Sequence, residues 1–221
     1  GRRVAKTDNM FRTWEFDVAK FLVTGSNTIT IDFRSARKYI ETRVAREGAI
    51  RSWGGPKEVK DRAWIRKQPS DFGWDWGPVM VTAGIWRSLS LVGYSTAVID
   101  DICFVQQHED GAVKLTTRLV AKRTGRDSEK LAFSVKVEFE GRVVAEKTVM
   151  ARKSAEVVLD IPDPQLWWPN GLGSQPLYTV EVGLFDADGN ILDSTKRRIG
   201  LRTLELDRHD DEWGESFQFV V

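Results

Sequence analysis

The chain has 221 residues, 41% of them hydrophobic, which is enough for one large or two ordinary domains with a sizeable core. Lysine and arginine number 33 against 32 aspartates and glutamates, so charge gives no reason to expect nucleic acid or an acidic membrane as a partner. No apolar run approaches the roughly 18 residues that span a bilayer, and a single cysteine excludes an internal disulfide.

Period-two alternation of apolar residues dominates the first part of the chain and predicts half-buried strands at 12–18, 28–33 and 84–94. Residues 34–63 are polar and rich in arginine and lysine, which indicates an excursion loop with a helical turn near 36–46. These strands are too few to close a sandwich alone. We therefore expect pairing partners upstream and strand edges that invite association.

Residues 72–86 read FGWDWGPVMVTAGIW, and in them Trp74 and Trp76 flank Asp75 directly before a Gly-Pro turn. One interpretation is a core corner in which Asp75 caps the turn. If the backbone is extended, Asp75 instead points away from both indoles, and its carboxylate must be paired with another group, solvated or engaged in a function. A second interpretation is a sugar site, because indoles stack on the C–H faces of a pyranose and a carboxylate accepts hydroxyl hydrogen bonds. The residues alone leave both open.

From about residue 97 the alternation is regular and turn signals recur. It predicts seven strands, at 98–106, 113–121, 131–139, 143–151, 155–161, 178–185 and 190–200. The turn signals include Gly125-Arg126-Asp127. Seven short strands at this spacing indicate an immunoglobulin-like sandwich, without the Cys…Trp…Cys frame of antibody domains. Cys103, between Ile102 and Phe104, is expected to be a buried or half-buried strand thiol.

Three further stretches are candidates for sites. The Trp-Trp-Pro-Asn-Gly run within 162–182 predicts a structural corner or an aromatic surface that docks a neighbouring domain. Residues 186–190, DADGN, predict a hairpin turn, because the later ligands of a calcium loop are missing. Residues 207–213, DRHDDEW, predict a polar interdomain linker in preference to a metal site. The lone His108 is given no role, and we expect neither a metal nor a cofactor.

Several motifs, in order along nearly the whole chain, resemble β-mannosidases of glycoside hydrolase family 2. They are NMFRTWEFDV, GSNTITIDFRS, IRKQPSDFGWDWGPVMVTAGIWRSLSL, DPQLWWPNGLGSQPLYTVEV and RIGLRTLEL…GESFQFVV. The F-G-W-D-W-G-P…G-I-W-R run is typical of the β-mannosidase branch. The W-W-P-N-G…P-L-Y and I-G-x-R motifs are shared more widely, including with β-galactosidases and β-glucuronidases.

The resemblance implies a jelly-roll sugar-binding domain, an immunoglobulin-like domain and a (β/α)8 barrel. We therefore expect an all-β chain, in which a partial jelly-roll (galactose-binding-like) β-sandwich is followed by an immunoglobulin-like β-sandwich. Residues 1–95 are assigned to the C-terminal part of the jelly roll and 97–205 to the immunoglobulin-like domain. Residues 206–221 are assigned to a linker and the first strand of a truncated barrel. Both chain ends are expected to be cut from something longer.

The resemblance also implies a function, that of the non-catalytic N-terminal region of a retaining exo-β-mannosidase acting on terminal non-reducing β-D-mannose. Retaining glycosidases need an acid and a nucleophile about 5–5.5 Å apart. The family carries both on barrel strands, so we expect no catalytic residue here, Glu212 and Glu215 included. In related enzymes the acid of the W-D-W motif hydrogen-bonds the terminal sugar at the barrel mouth.

In this chain that acid is Asp75, with Trp74 and Trp76 bracing its turn or lining the sugar pocket. The implied partners are a β-mannoside oligosaccharide or glycoconjugate and the intramolecular catalytic barrel. Three alternatives stay open: a stand-alone carbohydrate-binding or scaffold protein of β-sandwiches, another family 2 glycosidase (exo-β-glucosaminidase or β-galactosidase), and an adhesive immunoglobulin-like protein. The sequence assigns no cellular location.

Overall fold

The computed structural model describes residues 1–50, 61–124 and 130–221. The chain divides into two compact units, Gly1–Ser90 and Leu91–Val221. The predicted turn at 125–127 and the glycines and proline of 54–56 lie outside the described residues. In the described ranges, no helix is both long and apolar enough to cross a membrane.

The second unit contains a sandwich of seven antiparallel strands. They are β1 (Ala97–Glu109), β2 (Ala112–Arg123), β3 (Leu131–Phe139), β4 (Arg142–Ala151), β5 (Ser154–Pro162), β6 (Tyr178–Phe185) and β7 (Ile191–Ile199). One sheet has the order β1-β2-β5 and the other the order β4-β3-β6-β7. All seven predicted strands are confirmed, and their division into two sheets is that of an immunoglobulin-like sandwich.

Alternation along the strands places the core between the two sheets. In β3 the side chains of Phe133, Val135 and Val137 are buried, and in β6 those of Val180 and Val182 join the same cluster. Successive side chains of a strand point to opposite faces, so a slip of one residue would bring this apolar row into solvent. Each such side chain contributes ~1.5–3 kcal/mol when fully buried, which fixes the register.

The outer face of the four-stranded sheet carries a row of alternating charges. Glu146, Lys136, Glu181 and Lys196 lie opposite one another on neighbouring strands. Lys136 Nζ is 2.9 Å from a carboxylate oxygen of Glu181 and 3.0 Å from one of Glu138. Hydrogen bonds to Glu181 and Glu138 raise the pKa of Lys136, and the bond from Lys136 lowers the pKa of Glu181. Opposite charges across strands favour this register.

Tyr178 anchors the connection from β5 to β6. Its side chain is 2% exposed and stacks on Phe139 with the ring centroids 4.5 Å apart. Its hydroxyl accepts a hydrogen bond of 2.8 Å from the backbone N–H of Gln165. A tyrosine at this point of the sixth strand, bonded to the backbone upstream, is a recurrent feature of immunoglobulin-like sandwiches.

Cys103 lies in β1 as predicted, but its side chain is exposed instead of buried or half-buried. Its neighbours Ile102 and Phe104 pack against the core. The alternation of the strand therefore turns Cys103 outward.

In the first unit, the helical turn predicted near 36–46 is confirmed as a complete helix, α1 (Ala36–Glu47). The helix begins after Ser35, whose Oγ accepts a hydrogen bond of 3.3 Å from the backbone N–H of Lys38. It ends at Gly48, where φ is 88°, a value that glycine adopts without steric cost. Ile40 is the buried residue of this helix.

The strands predicted at 12–18, 28–33 and 84–94 are not formed, so that prediction is wrong for this chain. The described part of the first unit has no strand ladder and holds isolated bridges: Asn9–Arg66 and Trp74–Gly77. A strand is defined by hydrogen bonds to a neighbour, and these segments have no such neighbour among the described residues. Most of their alternating apolar side chains stay exposed, as Ile29 does at 67%, while Trp14 and Val18 are half-buried.

The last part of the chain contains two short antiparallel pairs. The strands are β8 (Glu205–Asp207), β9 (Asp210–Asp211), β10 (Gly214–Glu215) and β11 (Gln218–Val220). Strand β8 pairs with β11, and β9 pairs with β10. These short strands form two hairpins near the end of the chain, and the assignment of residues 206–221 to a linker and the first strand of a barrel remains a prediction.

Candidate functional site

The three predicted site residues lie in one exposed turn. The backbone N–H of Trp74 donates to the carbonyl of Gly77 at 3.1 Å, and the N–H of Gly77 donates back at 3.2 Å. Asp75 and Trp76 are the two central residues of this four-residue turn. The backbone therefore reverses here, and the extended geometry that would separate Asp75 from both indoles does not apply.

The turn presents both polar and aromatic groups to solvent. Asp75 is exposed, Trp76 is 85% exposed and Trp74 is 44% exposed. Among the described residues, none hydrogen-bonds or ion-pairs with the Asp75 carboxylate. A free carboxylate can accept several hydrogen bonds from hydroxyl groups, and an exposed indole offers a flat apolar face. This pairing of groups suits a polyhydroxylated ligand such as a sugar.

The turn stands on a base that is packed into the first unit. Directly before it, Pro69–Phe72 forms a short 3-10 helix that ends at Gly73. Phe72 is fully buried against Ile40 of α1, with Val44, Ile65 and Val81 around the pair. The burial of Phe72 thus fixes the point from which the turn leaves the unit.

A nearly buried ion pair lies in the same base. The Nζ of Lys67 contacts Oδ2 of Asp71, and these side chains are only 13% and 9% exposed. The amide of Gln68 donates a hydrogen bond to Oδ1 of Asp71. Burial alone would raise the pKa of Asp71, but the hydrogen bonds from Gln68 and Lys67 and the charge of Lys67 outweigh it and hold that pKa below its ordinary value.

Sequence reasoning missed this base. The cue in the sequence was weak: Lys67 and Asp71 stand four residues apart immediately before the W-D-W motif. Gly73 belongs to the same base: its φ is 76°, and a Cβ there would lie 2.8 Å from a side-chain carbon of Val79. Neither feature has the regular spacing that marks a site in a sequence.

The second tryptophan pair forms a structural corner, the first of the two interpretations for that stretch. The N–H of Trp167 donates to the carbonyl of Leu201 at 2.9 Å, and that of Trp168 to the carbonyl of Ser174 at 2.9 Å. The guanidinium of Arg202 lies 4.5 Å from the ring centroid of Trp167. These contacts tie the connection before β6 to the residues that follow β7.

The DADGN stretch is the hairpin turn between β6 and β7, as predicted. Oδ1 of Asp186 accepts hydrogen bonds from the N–H of Asp188 (3.0 Å) and of Asn190 (2.8 Å), and Oδ2 accepts from the Asn190 amide (2.9 Å). These bonds, led by those from Asn190, lower the pKa of Asp186. Its oxygens are thus used within the loop. The described ranges contain no cluster of three or more His, Cys, Asp or Glu side chains able to hold a metal ion.

His209 lies between an acid and a hydroxyl, but the geometry is not that of a catalytic triad. Both Oδ1 of Asp207 and Oγ of Ser216 lie 3.0 Å from the same ring nitrogen, Nδ1. A triad needs the acid on one ring nitrogen and the nucleophile on the other. This group therefore braces the hairpin that joins β8 to β11.

Two family models match the chain in succession. The model described as the glycosyl hydrolase 2 galactose-binding domain-like family matches residues 1–87, and the model described as glycosyl hydrolases family 2 matches residues 97–202. This order confirms the predicted succession of a galactose-binding-like domain and an immunoglobulin-like domain.

Curated relatives of the chain include β-mannosidases. The chain is 35% identical over its whole length to β-mannosidase B from Aspergillus flavus and to β-mannosidase B from Aspergillus oryzae, and it covers 26% of each. It is also similar to the crystal structure of a β-D-mannosidase from Dictyoglomus thermophilum. That match has 31% identity and a TM-score of 0.85, and it covers 98% of this chain and 26% of the other.

The chain thus spans about a quarter of the length of the relatives it matches. The resemblance first drawn from the W-D-W, W-W-P-N-G and I-G-x-R motifs is confirmed over the full chain. The chain belongs to glycoside hydrolase family 2, and its relatives within that family include β-mannosidases.

Proposed function

We propose that this chain is the non-catalytic N-terminal region of a retaining exo-β-mannosidase that hydrolyses terminal non-reducing β-D-mannose residues. The observation that carries the proposal is the match to the D. thermophilum β-D-mannosidase over 98% of this chain at a TM-score of 0.85. The chain covers only 26% of that enzyme and of the curated β-mannosidase B relatives. This proportion supports a further, catalytic barrel as its intramolecular partner.

In this proposal Asp75 binds the substrate and takes no part in proton transfer or nucleophilic attack. Its carboxylate accepts hydrogen bonds from hydroxyls of the terminal mannose and so orients the sugar for the barrel. Its exposure and the lack of a partner among the described residues support this role, since the carboxylate is available to a ligand. Trp76, at 85% exposed, is the indole available to line the sugar pocket, while Trp74 braces the turn.

Bond cleavage belongs, in this proposal, to two carboxylates of the barrel. A retaining glycosidase needs a proton donor and a nucleophile about 5–5.5 Å apart. Glu215 is paired with Arg208 at 2.6 Å, and both Glu212 and Glu215 are exposed near the end of the chain, so neither is assigned to bond cleavage.

The first test assays the purified chain on p-nitrophenyl β-mannoside. We expect no turnover, because both catalytic carboxylates are outside it. Turnover that follows the chain through purification would contradict the proposal. The second test uses the full-length enzyme that the proposal implies, with p-nitrophenyl β-mannoside compared against the β-galactoside and the β-glucosaminide. Preference for either of the latter would support another activity of the same family.

The Asp75→Asn variant of that enzyme tests the assigned role. We expect a lower kcat/KM with an unchanged melting temperature, because the side chain is solvated and supports no contact among the described residues. Wild-type kinetics in this variant would refute the assignment of Asp75 to the substrate.

A further inference from the structure

We infer that Lys67 and Asp71 are positioning residues that set the position of the turn that carries Asp75. This inference rests on the proposed function of Asp75 and extends it to a pair of residues that does not touch the sugar. The side chain of Asp71 is 9% exposed and is engaged by Lys67 and Gln68, so its effect on a substrate must pass through another residue.

The pair is much less exposed than Arg118–Glu156, an ion pair of the second unit. The side chains of Arg118 and Glu156, which pair across β2 and β5, are 59% and 55% exposed, against 13% and 9% for Lys67 and Asp71. Solvent screens an exposed pair almost completely, whereas a nearly buried pair keeps a larger share of its attraction. Removing one partner of a buried pair also leaves an uncompensated charge, so the local structure must change.

Asp71 holds both ends of the loop that carries the turn. Its side chain contacts Lys67 and Gln68 on the upstream side, and its backbone carbonyl accepts a hydrogen bond of 3.0 Å from the N–H of Met80 on the downstream side. The loop from 72 to 79 is thereby closed at its base. A shift of Asp71 must therefore move the whole loop.

Inside this loop the chain has little freedom to absorb such a shift. Phe72 is fixed by burial, and Gly73 has a φ of 76° with Val79 packed closely against its Cα. The next residues are the Trp74–Gly77 turn, whose two backbone hydrogen bonds hold Asp75 at its tip. The path from the ion pair to the backbone of Asp75 thus runs through packed or hydrogen-bonded residues.

The experiment is a double-mutant cycle on kcat/KM in the full-length enzyme, with p-nitrophenyl β-mannoside as substrate. The variants are Asp71→Asn, Asp75→Asn and the double variant. We expect Asp71→Asn alone to lower kcat/KM by roughly 10- to 100-fold, since displacement of a binding group by about 1 Å has effects of that order. In the Asp75→Asn background, Asp71→Asn should cause no further loss beyond twofold, because the group it positions is already disabled.

Two further variants separate positioning from stability. Lys67→Arg keeps the charge and should stay within a few-fold of wild type, whereas Lys67→Met should behave as Asp71→Asn does. Glu181→Gln removes a carboxylate of the charged row in the second unit and serves as the matched control, with kcat/KM unchanged. If Asp71→Asn does not fold, Lys67→Met takes its place in the cycle, since it disrupts the same pair from the other partner.

The outcomes of the cycle are distinct. Equal losses from Asp71→Asn in both backgrounds, or no loss in either, would overturn the inference while leaving the role of Asp75 intact. Wild-type kcat/KM in Asp75→Asn itself would instead overturn the proposed function. A loss in the wild-type background that disappears in the Asp75→Asn background supports both.

Discussion

Phe72→Ala tests whether the turn depends on the small core of the first unit. Phe72 is 0% exposed and packs with Ile40, and these two are the buried hydrophobic residues of that unit in the described ranges. Replacing a buried phenylalanine by alanine costs ~3–5 kcal/mol where the site cannot collapse. Each 1.36 kcal/mol is a factor of ten, so the equilibrium constant for opening rises by about 150- to 5,000-fold.

Hydrogen exchange of the whole chain, read by mass spectrometry on peptides, measures this opening for each unit separately. Peptides from residues 61–90 should exchange faster by a factor of that size, up to the limit set by the unit's own free energy of unfolding. Phe133→Ala is the matched control, because Phe133 is also 0% exposed but lies in the core of the sandwich. Unchanged exchange in 61–90 for Phe72→Ala, or equal acceleration there for Phe133→Ala, would refute the reasoning.

Three further predictions concern stability. Because the pKa of Asp71 is lowered in the folded chain, its contribution is fully present above the unfolded-state pKa of about 3.9 and is lost as the pH falls through the folded value. Protection of the Met80 amide against hydrogen exchange should therefore stay constant from pH 7 to about pH 4.5 and decline below about pH 4. Asp71→Asn should remove that decline. A decline that persists in the variant would contradict the assignment. Tyr178→Phe should lower the free energy of unfolding of the second unit by ~1 kcal/mol in urea, since it removes one hydrogen bond and keeps the ring; an unchanged value would show that the hydroxyl is dispensable. Gly200→Ala places a Cβ 2.8 Å from the side chain of Trp167, so the free energy of unfolding should fall by ~1–3 kcal/mol and the melting temperature with it. A rise in the melting temperature would mean that the corner has room for the methyl group.

The sandwich could be predicted from the sequence because its signal is local and its partners are present. Strands β3 and β6 begin and end at the predicted residues, 131–139 and 178–185. The same alternation at 28–33 led to a wrong prediction, because periodicity records which faces are apolar and not whether a neighbouring strand is there to pair with. The outward direction of Cys103 was missed for a related reason, since residue type alone does not say which face of a strand is covered.

The site was predicted in part. The W-D-W motif identified Asp75, but the turn that carries it depends on tertiary contacts, namely the burial of Phe72 against α1 and the hydrogen bond between Met80 and Asp71. The Lys67–Asp71 pair spans the start of a short 3-10 helix, and its significance comes from its burial, which no spacing in the sequence reveals.

The most direct test of the claim that Asp75 holds hydroxyls of the terminal mannose combines Asp75→Ala with a set of monodeoxy p-nitrophenyl β-mannosides in the full-length enzyme. With the parent substrate the variant should lose about 10- to 150-fold in kcat/KM, the equivalent of ~1.5–3 kcal/mol for a hydrogen bond to a charged group. With the deoxy substrate that lacks the bonded hydroxyl, wild type and variant should agree within twofold. An equal loss on every substrate of the set would contradict the account.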